Sequence, residues 1–231
     1  DATLTAMRIV SLCPSLTELV FDLGRGGDLV GITEYCVHPA DKVGAVEKVG
    51  GTKTPDVERI VALEPDVVLL NEEENRVEDA DALREAGVRC HASMPRDAGE
   101  TAEMVRSIGA VLGRVDEGER IARAIEANAA KVREECADRP EVTWAYLIWR
   151  KPWMTVSDDT FAAALLKLPN GRNVFANAPE RYPAITAEEL AERDPRLVLL
   201  GSEPFPFDFQ HADELAAATG LPRDRFVIAD G

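Results

Sequence analysis

The chain has 231 residues, 45% of them hydrophobic, with 42 acidic against 26 basic side chains and a net charge of −16. Such a content supports a packed core and excludes disorder, and the length suits one large α/β domain or two smaller lobes. The acidic balance excludes nucleic acid as the main partner, because phosphate backbones demand clustered Lys and Arg, and argues against an anionic membrane surface.

No apolar run approaches the roughly 20 residues needed to span a bilayer. Residues 1–6 lack the basic and apolar regions of a signal peptide; a mature terminus after cleavage, an added remnant and a native start near Met7 are equally compatible. Cys13, Cys36, Cys90 and Cys136 form no CxxC pair and no disulfide framework, so cysteine usage does not reveal the compartment.

In chain order, Arg8 to Leu12 reads as a short buried strand. Pro14 and the pattern Ser15-Leu16-Thr17-Glu18, a capping box, open a helix through about Leu23, which Gly24, Gly26 and Gly27 end. Leu29 to Ile32 is the next strand, followed by the loop from Thr33 to Pro39. Pro55, expected in a helix first turn, opens a helix from Asp56 to Leu63. Pro65-Asp66 breaks it, and Val67 to Leu70 is an apolar strand of the doubly covered parallel kind. A polar loop from Asn71 to Arg76 leads to a helix ending at Gly87, then a strand from Val88 to His91. Asp97 caps a helix through about Leu112. Strands alternating with helices indicate βαβ units and a parallel sheet.

From Asp116 to about Asp138 there is no Pro, and Ile121, Ile125, Val132 and Cys136 lie on one helical stripe. A helix of that extent is roughly 35 Å long, which suits a strut between two lobes. The second half restarts with a strand from Val142 to Ile148, a helix from about Asp159 to Leu168, and the turn Pro169-Asn170-Gly171. Thr186-Ala187-Glu188-Glu189 is a second capping box, opening a helix that ends near Arg193. The strand Leu197 to Leu200, an aromatic loop from Gly201 to Phe207, a last helix and the strand Phe226 to Ala229 close the chain. The helix, Pro break and apolar strand at 56–70 recur at 187–200, as expected of two similar lobes. The expected fold is α/β: two Rossmann-like lobes with parallel sheets joined by a single long backbone helix. Its divisions are 1–113, 114–140 and 141–231.

In open α/β sheets, ligands bind beyond the carboxyl ends of the strands. The loops expected there hold Pro14, Ser15, Tyr35, His38, Thr52, Lys53 and Asn71 in the first half, with Trp149, Arg150, Trp153, Met154, Glu203 and Phe205 in the second. Polar groups from one side and flat apolar surface with an arginine from the other predict a cleft for a large, flat, partly polar ligand. Each residue also has an ordinary role. Trp149 and Trp153 could simply pack, Tyr35 could be half buried in a strand, Arg150 could be a solvated charge, and Glu72-Glu73-Glu74 a solvated helix entrance.

Only His38, His91 and His211 are histidines, and Cys36 with His38 supplies two metal ligands at most, so no protein metal site is expected. An axial contact from Tyr35, His38 or Met154 to a metal already inside a chelate stays open. There is no G-x-S-x-G, H-E-x-x-H or Walker motif, so no catalytic residues and no enzyme activity are expected. Gly50-Gly51-Thr52-Lys53-Thr54 has the wrong Gly/Lys spacing for a phosphate loop.

Ile9-Val10-Ser11-Leu12-Cys13-Pro14-Ser15-Leu16-Thr17-Glu18-Leu19 resembles the opening of class III (cluster A-II) substrate-binding proteins of ABC transporters. The likeness continues through Val30 to Tyr35, Glu58 to Val68 and Gly171 to Phe175, in order over nearly the whole chain. It is nearest the cobalamin-binding and helical backbone metal receptor branch. The resemblance implies a monomeric, extracytoplasmic, periplasmic or membrane-associated receptor. Such a receptor holds a metal chelate between its lobes and delivers it to the permease subunits of an ABC importer. A corrinoid such as cobalamin is the expected ligand, with ferric siderophore or haem as the alternative; a free metal ion, and an enzyme or electron carrier on the same scaffold, are the other readings. No intrinsic cofactor is implied. By the same resemblance Tyr35 and Trp153 contact ligand, and Glu58 and Glu188 dock onto permease arginines. Thr52 and Asn71 stand where cobalamin binders carry tryptophans, which favours a related or more polar chelate. Relatives usually continue past this point with an aromatic loop and a closing helix, implying a shortened second lobe.

Overall fold

The computed structural model describes residues 6–230, so the signal-peptide reading of the first residues falls mostly outside it. The chain divides into two compact units, residues 1–95 with 99–125, and residues 96–98 with 126–231.

The first unit is built on a four-stranded sheet in the order β2-β1-β3-β4, all parallel. Its strands are β1 (Ile9–Ser11), β2 (Leu29–Ile32), β3 (Val67–Asn71) and β4 (Cys90–Ser93). Successive side chains of β3 alternate between faces, yet all of Val67 to Leu70 is buried, because both faces are covered. Ile9, Val67 and Leu69 pack with Leu16, Leu19 and Val20 of α1 (Pro14–Asp22) and with Ala102, Val105 and Ile108 of α4 (Ala98–Val111). Val10, Val68 and Leu70 pack on the other face with Ile60 of α2 (Val57–Ala62) and Leu83 of α3 (Val77–Glu85).

Three boundaries differ from expectation for local reasons. The capping box at Ser15 does not form: Pro14 starts α1 one residue early and Cys13 takes the N-cap position without a side-chain cap. Asp56 lies outside α2 as its N-cap, accepting from the Arg59 N–H, so Pro55 precedes the helix. Val88 is consumed in ending α3, since Gly87 is left-handed at φ 81 and the N–H groups of Val88 and Gly87 reach the carbonyls of Leu83 and Arg84. The strand therefore starts at Cys90.

The long helix is α5 (Val115–Cys136), 22 residues and about 33 Å, and the division between the units falls inside it. Ile121 and Ile125 from the expected stripe pack, with Ala122 beside them, on the first unit's core.

The second unit has a mixed sheet, β10-β9-β5-β6-β8, with β7 beside β5. β5 (Val142–Trp149), β9 (Leu197–Gly201) and β10 (Phe226–Ala229) are parallel, as is β7 (Gly171–Asn173). β6 (Trp153–Thr155) and β8 (Ala184–Ile185) run antiparallel. The parallel expectation holds for the core of this sheet and not for that edge. A three-residue turn, Arg150 to Pro152, is too short for a crossover and folds β6 back as a hairpin. Ala145, Leu147, Val198 and Leu200 pack with Leu190 of α7 (Ala187–Arg193) and with Ala212 and Leu215 of α8 (Phe209–Thr219). Trp144 is buried on the other face with Ala163 of α6 (Phe161–Lys167). The repeat seen in the sequence extends to the backbone: Glu64 and Asp194, each just before its proline, are both left-handed, at φ 46 and 44.

In the first unit, Glu119 of α5 accepts from Arg106 of α4 at 2.7 Å and from Arg123 at 2.6 Å. The two arginines hold its carboxyl down to about 2 from an ordinary 4.5. A depressed carboxyl contributes stability that is complete above its unfolded value and is lost as pH falls through its folded value. Between pH 4.5 and about 2, wild-type thermal stability should therefore fall more steeply than that of Glu119→Gln. Because the group is exposed, melts in high salt should narrow the difference.

Candidate functional site

In the first unit the site residues gather on the loops at the carboxyl ends of β1, β2 and β3, and one buried side chain ties those loops together. Asn75, 6% exposed, donates from Nδ2 to the carbonyls of Leu12 at 2.9 Å and Thr52 at 3.0 Å. Its Oδ1 accepts from the Asn71 N–H at 2.8 Å. Nothing in the spacing of the sequence marked Asn75, since a buried asparagine reaching carbonyls 63 and 23 residues away is a tertiary feature. Asn71 in turn accepts from the N–H groups of Glu73 and Glu74, so its own carbonyl oxygen shapes the turn. Lys53 donates to the Glu73 carbonyl at 2.6 Å, drawing the Thr52 turn against the Asn71 loop.

Tyr35 is 62% exposed. Its ring lies against Gly51, where a side-chain carbon would stand 3.3 Å from it. Lys48 holds the loop by donating to the carbonyls of Thr33 and Cys36, and Thr17 donates to the buried Cys36 sulfur. His38 is exposed farther along the same loop. Pro14 and Ser15 occupy the first positions of α1, where Ser15 Oγ lies 3.4 Å from Cys13 Sγ. Burial pushes the Cys13 thiol up, keeping it protonated and poorly nucleophilic.

In the second unit the aromatic residues form one continuous ledge at the carboxyl ends of β5 and β9. Trp149, 42% exposed, meets Phe205 edge-on with centroids 5.8 Å apart. Phe205 contacts Phe207 at 4.7 Å, and Phe207 stacks on Trp153 at 6.1 Å and 17°. Met154 pairs directly with Trp149 across the hairpin. The Arg150 guanidinium lies 5.7 Å from the Trp153 ring centroid. Glu203 is exposed, at the turn that follows Gly201. A side-chain carbon at Gly201 would stand 2.6 Å from the Tyr146 hydroxyl, so only glycine fits there. Burial and the Glu203 charge push the Tyr146 phenol up.

Helix α8 braces this ledge from behind, which sequence reading did not foresee. His211 packs edge-on against Phe205 at 5.2 Å and Phe207 at 5.6 Å. The His211 Nδ1 lies 3.2 Å from the Asp208 backbone nitrogen and 2.6 Å from its Oδ1. The His211 backbone N–H is the main group holding the Asp208 carboxyl below its ordinary range. One turn on, Glu214 pairs with Arg150 at 2.7 Å. The spacing Asp208-x-x-His211, a capping box, was the available signal.

Residues 9–228 match the periplasmic binding protein family model. The chain belongs to the periplasmic binding protein family. It is 24% identical over 193 residues to the vitamin B12-binding protein of Vibrio cholerae, a match covering 84% of this chain and 70% of that one. Its fold is similar to the crystal structure of the periplasmic vitamin B12 binding protein BtuF of Vibrio cholerae. There the TM-score is 0.84 at 21% identity, covering 97% of this chain and 88% of the other. The periplasmic heme-binding protein RhuT from Roseiflexus sp. RS-1, in apo form, superposes with a TM-score of 0.85 at 22% identity, covering 98% and 90%. In this periplasmic binding protein, Glu58 and Glu188 stand in the first turns of α2 and α7, exposed and without an ion-pair partner among the described residues. Among the described residues no three His, Cys, Asp or Glu side chains gather around a common point. No helix among them is long and apolar enough to cross a membrane.

Asn75→Leu, close in size, strips partners from the Leu12 and Thr52 carbonyls and the Asn71 N–H. It should cost about 2–4 kcal/mol, from buried groups left unpaired, read as a lower urea midpoint with little change in slope.

Proposed function

We propose that this chain is the substrate-binding receptor of an ABC importer. In this reading it captures a planar metal chelate, most readily a corrinoid, outside the cytoplasmic membrane and passes it to the permease without chemical change. The observation that carries the reading is the ledge of Trp149, Phe205, Phe207 and Trp153, four aromatic side chains in unbroken contact beside a cation. Flat apolar area with one charged group suits a macrocycle whose faces are apolar and whose edge is polar. The buried, protonated Cys13 thiol supports binding without thiol catalysis. The names of the curated relatives support the corrinoid. Glu58 and Glu188 are assigned to docking on basic permease residues, since each keeps an exposed carboxylate while Asp56 and Thr186 cap the helices. The receptor is assigned as a monomer with no intrinsic cofactor.

Haem is the second reading, favoured by the exposed Tyr35 phenol and the exposed His38 on one loop, either of which could ligate iron from an axial position.

Titration of the purified protein with cyanocobalamin, hemin and a ferric siderophore, followed by absorbance and calorimetry, should show saturable uptake of at least one. Uptake of none would overturn the assignment. Trp149→Ala should weaken binding by about threefold to tenfold, since an aromatic contact contributes about 0.5–1.5 kcal/mol beyond its area burial, while the melting temperature stays near wild type because the side chain is 42% exposed and lies outside the buried core. A Soret shift removed by Tyr35→Phe or His38→Ala would assign haem and its axial ligand.

A further inference from the structure

The ledge carries a feature that bears on which chelates it accepts, an inference that rests on the receptor reading above. Arg150 lies in the β5–β6 turn with its guanidinium over the Trp153 ring. Among the described residues, its hydrogen bonds and ion pair run from Nη2 to the Glu214 carboxylate, at 3.0 and 2.7 Å. Nε is buried without a hydrogen-bond partner, whereas Nη1 is not among the buried atoms, and the side chain stays 26% exposed. An aromatic face below and a carboxylate at one corner thus fix the plane of a cation whose remaining N–H donors are uncommitted. With Nε buried and Nη2 turned to Glu214, Nη1 is the donor left to meet a ligand, and its charge-assisted hydrogen bond favours a carboxylate or phosphate oxygen over an amide. Glu214 meanwhile neutralises the cation, so an incoming anion competes with it.

We propose that Arg150, braced by Glu214 and Trp153, is a selectivity group that favours planar chelates bearing an anionic substituent, a carboxylate or a phosphodiester, at their edge. Glu214 sets how strongly that preference is expressed.

Two ligand pairs separate the sources of the anion. Cyanocobalamin carries a phosphodiester in its nucleotide loop and dicyanocobinamide lacks it; hemin carries two carboxylates and hemin dimethyl ester masks them. Calorimetry on wild type should show preference for the anion-bearing member of one pair, and that pair names the source. Arg150→Gln should shrink the preference by about tenfold, the scale of a charge-assisted contact. Glu214→Gln keeps a hydrogen-bond acceptor for Arg150 but removes the competing charge, so it should tighten anion-bearing binding by about threefold. Equal losses for both members of a pair in Arg150→Gln would overturn the proposal, as would weakened anion-bearing binding in Glu214→Gln. Should Arg150→Gln fail to fold, Glu214→Gln decides alone. Wild-type protein that takes up none of the four compounds overturns the receptor reading itself, a result distinct from uptake with an unchanged ratio.

Discussion

Three hydrogen bonds made by the Asn75 side chain, two donated and one accepted, hold together the loops at the carboxyl ends of the first unit's strands. Parallel strands leave their carboxyl ends to be closed by loops that are far apart in sequence, and those loops carry backbone groups that water no longer satisfies. Asn75 serves Leu12 after β1, Thr52 in the turn before α2, and Asn71 at the end of β3. Pro14, Ser15, Thr52, Lys53 and Asn71 owe their grouping to it. The Tyr35 loop has separate anchors in Lys48 and Thr17.

The second unit reaches a similar end by different physics. The loops at the carboxyl ends of β5 and β9 are held by ring contacts backed by a helix. The hairpin from β5 to β6 places Trp149, Arg150 and Trp153 within five residues, while the loop after β9 brings Phe205 and Phe207 to them. Asp208, His211 and Glu214 follow at three-residue intervals on one side of α8, so a single helix caps its own start, supports two phenylalanines and orients a cation.

The shared architecture of the units also bears on function. Each has a short helix followed by a left-handed acidic residue, a proline and an apolar strand, buried on both faces in β3 and on one face in β9. In each, an exposed glutamate stands in that helix's first turn, at the end where the helix dipole is positive and a carboxylate is stabilised at little cost. Glu58 and Glu188 are therefore equivalent positions in a duplicated framework.

The sequence by itself determined the α/β class, the long helix and the order of nearly all elements. These depend on local signals: the period of apolar residues, Pro and Gly breaks, and capping patterns such as Thr186 to Glu189. Only tertiary structure decided the short strands β6, β7 and β8, three residues or fewer, which carry too few side chains to show a period. It also decided that Pro14 rather than Ser15 begins α1, and that Asn75, Phe207, His211 and Glu214 organise the two faces. Two of these have partners far away along the chain: Asn75 reaches back 63 residues to Leu12, and Glu214 reaches back 64 to Arg150. Contacts of that span leave no periodic trace in the residues between, because they are made by the closing of the fold and not by the turn of any one helix or strand.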